Sequence, residues 1–161
     1  MRNLPYGCAS NKPANHDVGT RISWTLRPPI SKKLENAEKR RDAMKDVCSN
    51  CHAAPLVDGF YLQFDNLVNF YDDKFAKRAT AIRNELMDKG KLTRGDFDEK
   101  LDWIYYELWY HEGIRGRHGA AMSGPDYAWW HGMYEVAKAF YVEFMPEVKR
   151  VAGPELCGEL V

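Results

Sequence analysis

After Pro55 the apolar positions Val57, Tyr61, Phe64, Leu67 or Val68, Tyr71, Phe75, Ile82 and Leu86 recur mostly every three or four residues. That is the period of one face of an α-helix, so the spacing predicts a long amphipathic helix from about residue 56 to Gly90. A second periodic stretch puts Leu101, Ile104 or Tyr105, Leu108 and Trp109 on one side, and Thr93-Arg94-Gly95-Asp96 ahead of it resembles a capping box. Gly113, Gly116 and Gly119 then weaken any helix. A further helix is expected to begin near Pro125, a favoured first-turn residue, and to carry Trp130, Met133, Ala137, Phe140, Tyr141 and Phe144 toward Pro146. Upstream, Ser31 suits an N-cap. The charged segment Lys32 to Cys48 is rich in helix formers and runs into a Cys-x-x-Cys-His sequence, so the first helix should end near His52.

Residues 1–30 read differently. Pro5, Pro13, Pro28 and Pro29 with Gly7 and Gly19 oppose a helix, and Ile22, Trp24 and Leu26 alternate with polar residues. That pattern suits an extended arm laid on another surface. The organisation expected is an arm (1–30), a helical domain (31–153) and a tail (154–161), with the fold class a small all-α helical bundle. No internal repeat or low-complexity tract is present.

A chain of 161 residues with 45% apolar content holds one domain with a real core and excludes a second full domain. Lys plus Arg and Asp plus Glu both number 23, so no excess positive charge is available for nucleic acid or an anionic membrane. Apolar runs such as Trp103 to Tyr106 fall far short of the ~20 residues of a membrane-spanning helix. Of 21 aromatic residues, 13 lie between Phe97 and Phe144. Such a concentration builds either an aromatic core or a surface shared with something large and flat.

The chemistry-bearing motif is Cys48-Ser49-Asn50-Cys51-His52, the pattern of c-type haem attachment. Thiols at i and i+3 project from one side of a helical turn and add to the two haem vinyl groups, while the next residue offers its imidazole to the iron. Cys48 and Cys51 are thus candidate thioether anchors, and His52 the candidate proximal ligand. Two alternatives stand beside this. The cysteines could hold zinc with two of His111, His118 and His131, or form a thioredoxin-like redox pair, which needs a βαβ context that the helical pattern lacks. Cys8 and Cys157 lie near the ends and are free, paired or bridged to a partner. Haem attachment happens outside the cytoplasm, yet Met1 to Ser10 contains no apolar signal core, so a removed signal or another export route is expected.

Several separated stretches together resemble the C-terminal part of the octahaem hydroxylamine oxidoreductase family. They are Arg21-Ile-Ser-Trp-Thr-Leu-Arg-Pro-Pro29, the haem motif, Tyr71-Asp-Asp-Lys-Phe-Ala-Lys77, Trp109-Tyr-His-Glu-Gly113, Arg117-His-Gly-Ala-Ala-Met122, Gly124-Pro-Asp-Tyr127 and Trp130-His-Gly132. The likeness runs over about residues 16 to 150 in the family's order. It implies a largely helical, multihaem cytochrome c fold and chemistry on hydroxylamine, hydrazine, nitric oxide or nitrite. Family enzymes carry seven electron-transfer haems with two His ligands each and one five-coordinate catalytic haem. In oxidative members a C-terminal tyrosine is bonded to the catalytic haem of the neighbouring subunit of a trimer.

This sequence has one haem motif where the family has eight, so the resemblance implies a separate small subunit of a split complex. Its partners would be a large multihaem cytochrome c subunit in a trimer-based hetero-oligomer and an external electron carrier. Carried over by motif, Cys48, Cys51 and His52 match the last attachment site. His16, His118 and His131, with His111 behind them, are candidate distal iron ligands to haems, some held by the partner. Tyr127 is the candidate residue facing the neighbour's catalytic haem, and a helix-start tyrosine packed under Trp130 is its plainer role.

The expected function is electron transfer by one haem c to or from a catalytic haem in the large subunit, the complex reducing nitrite to nitric oxide. The alternatives are an oxidative hydroxylamine- or hydrazine-consuming complex, a bracing subunit whose haem is incidental, and a stand-alone monohaem cytochrome. The compartment implied is the periplasm or its equivalent, the anammoxosome lumen in an anammox bacterium.

Overall fold

The computed structural model of the chain describes residue 30 and residues 35–153. The arm with His16 and Cys8, the N-cap expected at Ser31 and the tail with Cys157 lie outside the described residues. Four helices follow one another: α1 (Ala37–Cys48), α2 (residues 54–88), α3 (residues 100–121) and α4 (residues 126–152). No strand occurs among the described residues, and the all-α bundle expected from the periodicity is what they form.

Four boundaries differ from the expectations. The first helix begins at Ala37 rather than near Lys32, because Asn36 takes a left-handed conformation (φ 58°) that a continuous helix excludes. Thr93 does not open α3, which starts at Lys100. Its hydroxyl donates to Asp98 at 2.6 Å and accepts from the Gly95 amide at 3.3 Å, so it braces the preceding loop instead. Gly113, Gly116 and Gly119 do not end the helix, for reasons of packing given below. Nor does Pro146 end α4, which runs on to Ala152. Just before Pro146 the helix widens over Ala139–Phe144, where the Met145 amide reaches back five residues to Phe140. A wider turn relieves the clash of the proline ring with the preceding turn and absorbs its missing donor.

The periodic residues of α2, α3 and α4 meet in one core that includes Phe64, Tyr71, Leu86, Leu101, Leu108, Trp109, Val136 and Phe144. Charged side chains are buried with it. Arg83 of α2 meets Asp102 of α3 with Nε and Nη2 both 2.8 Å from one carboxylate oxygen. Burial nevertheless holds the Asp102 carboxyl above its ordinary pKa. Arg117 is fully buried, its guanidinium 3.9 Å from the Trp109 ring centre and 4.4 Å from that of Tyr71. It also donates to the Trp109 carbonyl at 3.2 Å. Gly113 makes room for this sandwich, since a Cβ there would lie 2.7 Å from the guanidinium and against the Leu108 carbonyl. That carbonyl accepts from the Tyr71 hydroxyl at 3.0 Å, and burial pushes the Tyr71 phenol up to about 12.

The first turns of α4 lie on the last turns of α3 at backbone contact. A Cβ on Gly119 would overlap the backbone of Tyr127 and Ala128, and one on Gly132 would overlap Gly116 Cα. These glycines are therefore the condition for the crossing. A smaller cluster, Met44, Cys48, Val57 and Tyr61, joins α1 to the start of α2.

Candidate functional site

Cys48 is the last residue of α1 and is buried, while Cys51 and His52 lie in the following turn and are exposed. The amides of Cys51 and His52 donate to the Cys48 carbonyl at 3.1 and 3.0 Å, which winds residues 48–52 into one turn. Side chains of this turn secure the last carbonyls of α1: the Ser49 hydroxyl donates to that of Lys45 at 2.8 Å, and the Asn50 side-chain amide to that of Val47 at 3.1 Å. Cys51 carries a free thiol.

Cys48 and His52 border a cavity of about 230 Å³ completed by Leu56, Val57, Phe60 and Tyr61 of α2 and by Ser123 between α3 and α4. Its wall is mostly hydrocarbon and aromatic. Arg41 stands behind the Tyr61 ring, 4.6 Å from its centre, and forks onto Asp65 with two bonds of 2.6 Å. Hydrogen bonding to Asp65 holds Arg41 above its ordinary pKa. Lys45 reaches Asp58 at 2.7 Å from the same side. The two pairs clamp α1 to α2 and so fix the motif against its apolar wall.

Two cysteines and an imidazole in a single turn beside an apolar wall are a donor set that fits a c-type haem. The volume is below the ~300–1,000 Å³ of an enclosed small-molecule site. The motif therefore borders an open cleft rather than a closed pocket.

The α3–α4 connection has a defined geometry. The Gly124 amide donates to Gly119 at 2.8 Å and the Ser123 amide to Ala120 at 3.3 Å. These are the two bonds of a Schellman cap, with Met122 as the C-cap and Ser123 in the left-handed position where glycine is usual. Ser123 has φ 56°. A serine there costs strain of about 1 kcal/mol that glycine avoids, and its position brings a side chain to the wall of the motif's cavity.

On the other side of this connection a second cavity, of about 380 Å³, is lined by Ile114, Arg115, His118, Gly119, Met122, Gly124 and Tyr127. His118 and Tyr127 thus line the same cavity. The Nε2 atom of His118 is buried without a hydrogen-bond partner. Burial, with Arg117 adding to it, holds the His118 imidazole below its ordinary pKa and keeps it neutral. His131 lies beside them, its ring centre 5.3 Å from that of Tyr127 and its Nε2 3.4 Å from Asp126.

His111 is not drawn into this group. Arg115 donates to its Nε2 at 2.9 Å, and an arginine can only donate, so the proton sits on Nδ1 and is given to Glu112 at 2.6 Å. Its lone pair is engaged within the protein. Among the described residues no group of three or more His, Cys, Asp or Glu side chains is arranged to hold a metal ion. The zinc alternative, which needs Cys48 and Cys51 beside two of His111, His118 and His131, is not assembled there.

The aromatic-rich segment divides between core and surface. Trp109, Phe140 and Phe144 are buried, whereas Tyr127, Trp129, Trp130, Tyr134 and Tyr141 are exposed on α4, with Trp130 and Tyr134 stacked 4.9 Å apart. Tyr127 is not packed under Trp130; its ring neighbour is His131. No helix of the described residues is long and apolar enough to cross a membrane. Sequence reasoning missed Arg41, Tyr61 and Ser123. No signal marked Ser123, because the glycine usual at the left-handed position is absent there and Gly124 stands one residue later.

Comparison with protein-family models, with curated proteins and with solved structures found no match to the chain. Function is therefore read from the residues themselves.

Proposed function

We propose that the chain carries one haem c, bonded through Cys48 and Cys51 and ligated by His52, and serves as the electron-transfer small subunit of a multihaem oxidoreductase complex. The observation that carries this reading is the Cys48-to-His52 turn beside the apolar wall of Leu56, Val57, Phe60 and Tyr61. Haem, when bound, supplies a one-electron couple. The chain's own part is to present both thiols on one turn, to aim the His52 imidazole, and to exclude water with the aromatic wall, since burial and ligation are the levers on the potential.

The exposed aromatics of α4 support a partner, because large contiguous apolar surface marks an interaction site. In this reading the large partner holds the catalytic haem and the remaining haems, His118 and His131 are ligands offered to it, and Tyr127 faces its catalytic centre. The complex converts a small nitrogen compound, with nitrite reduction to nitric oxide as the reaction and hydroxylamine or hydrazine oxidation as the alternative.

The test is the denatured mass of the chain from its native source beside any co-purifying subunit. A mass raised by one haem, lost when Cys51 is replaced by serine, is the expected result. A chain without haem ends the proposal. A chain covalently joined to a larger haem protein moves the reaction to the oxidative side and assigns Tyr127 as the cross-linking residue to be mapped.

A further inference from the structure

We infer that the outer face of α4 is a self-association surface, on which a second copy of this chain lies antiparallel across a twofold axis between Tyr134 and Lys138. Every fourth residue from Asp126 to Arg150 is exposed, and every fourth residue from Ala128 to Ala152 is buried. A regular α-helix cannot hold that register, because four residues overshoot its ~3.6-residue turn and the exposed line would wind onto the core side before α4 ends. The chain widens α4 twice, over Asp126–Tyr134 and Ala139–Phe144, and the widened turns take in the excess. The result is a straight ridge, along which the Trp130 and Tyr134 rings stack 4.9 Å apart. The inference stands apart from the haem reading, since no residue of the ridge lines the cleft beside the motif.

The ridge has the area and composition of an interface. Trp129, Trp130, Tyr134 and Tyr141, on or beside it, are each at least 50% exposed, and Val142 is 63% exposed. With about 150–250 Å² to each whole aromatic side chain, these rings offer on the order of 400 Å², about half of the ~800 Å² that each partner brings to a stable interface. Val142, Pro146 and the stem of Lys138 extend it along the same line. Tryptophan and tyrosine are also the residues that carry most binding energy at the centre of an interface.

The charges select the occupant and its direction. Asp126 stands at the start of the ridge, Lys138 at its middle and Lys149 near its end, all exposed. A copy laid parallel would set Asp126 against Asp126 and Lys138 against Lys138. A copy laid antiparallel about the proposed axis sets each Lys138 on the Tyr134 ring of the other, each Trp130 on Val142, and each Asp126 about one turn from Lys149. Cations then meet a ring face or a carboxylate, the helix dipoles oppose, and the same patch serves both copies. Glu135, 3.8 Å from Lys138 of its own chain, flanks the axis and adds a carboxylate beside the incoming Lys138. With 23 basic and 23 acidic residues, two copies meet without net repulsion. The contact uses the middle of α4 and leaves the α3–α4 connection, with His118 and Tyr127, to the large subunit.

The test is sedimentation of the full-length chain, in its matured form and without the large subunit, over a concentration series. A reversible dimer is expected, with iodide quenching of tryptophan fluorescence falling as it forms. Tyr134→Lys, at an exposed side chain, sets like charge against the other copy's Lys138 and should raise the dissociation constant roughly tenfold or more, with helical circular dichroism unchanged. Adding Lys138→Glu to that variant should restore the dimer, because the exchanged charges attract across an antiparallel axis and repel like-on-like in a parallel one. Leu62→Lys, exposed on α2, should leave the dimer as it is. A monomer would overturn the inference, and iodide would then say whether the face is open or covered by the chain's own termini. A face that binds only the large subunit would overturn it too, as would a dimer that survives Tyr134→Lys or is not restored by the double change. None of these results bears on the mass shift that tests the haem.

Discussion

Two of the helix-to-helix junctions among the described residues, α1–α2 and α3–α4, are built on opposite principles. Where α3 meets α4, backbone touches backbone: Gly116 faces Gly132, and Gly119 faces Tyr127 and Ala128. The geometry is fixed by hard-sphere contact, with close packing that yields little. Where α1 meets α2, a four-residue apolar cluster is held by the Arg41–Asp65 fork and the Lys45–Asp58 pair, and Leu56 remains exposed. Charged pairs there set the angle without filling the space. The difference teaches where the chain can accept a large group: beside the clamped junction, next to the rigid one, and not within it.

Breaking the rigid junction should have the largest effect. Gly132→Ala forces a Cβ into Gly116 and the Tyr127 carbonyl, neither of which can swing away. A loss near the upper end of the usual overpacking range, about 3 kcal/mol, is expected in urea unfolding. An unchanged midpoint would show that the helices separate at low cost. At the clamped junction, Arg41→Gln removes the fork to Asp65 and the contact with Tyr61. The expected loss is about 1 kcal/mol, because the pair is only partly buried. A loss as large as that of Gly132→Ala would erase the distinction drawn between the junctions.

The smallest effect sharpens the comparison through pH. His118 beside the rigid crossing has its pKa lowered by burial, so the unfolded chain binds a proton more readily than the folded one. The stability tied to its neutral form is present above 6.5 and is lost as pH falls from there through the lowered folded value. Unfolding midpoints at pH 7.5 and 5.5 should differ less in His118→Gln than in the wild type. An equal difference in both would remove His118 from the acid response.

The fold was legible where periodicity alone decides it. The apolar residues from Val57 to Leu86 announced α2 to within about two residues at either end, and Leu101 to Trp109 announced the core face of α3. The glycines misled because a glycine is weak in an isolated helix but necessary where two helices touch, and one sequence window does not contain its partner. Pro146 misled for a related reason, since the widened turn that admits it is a property of the whole helix. Of the site, the Cys48-to-His52 turn is local and could be read directly. The wall from α2 and the approach of Ser123 depend on chain positions far apart in sequence, and nothing near the motif encodes them.

The split of the aromatic segment between interior and surface makes the molecule its own optical reporter. Trp109 is enclosed with the Arg117 cation against its ring, whereas Trp129 and Trp130 stand on the outer face of α4. Their fluorescence should differ in colour and in access to a dissolved quencher. Occupation of the α4 face by another protein would then alter the red, quenchable part of the emission, and loosening of the core the blue, protected part.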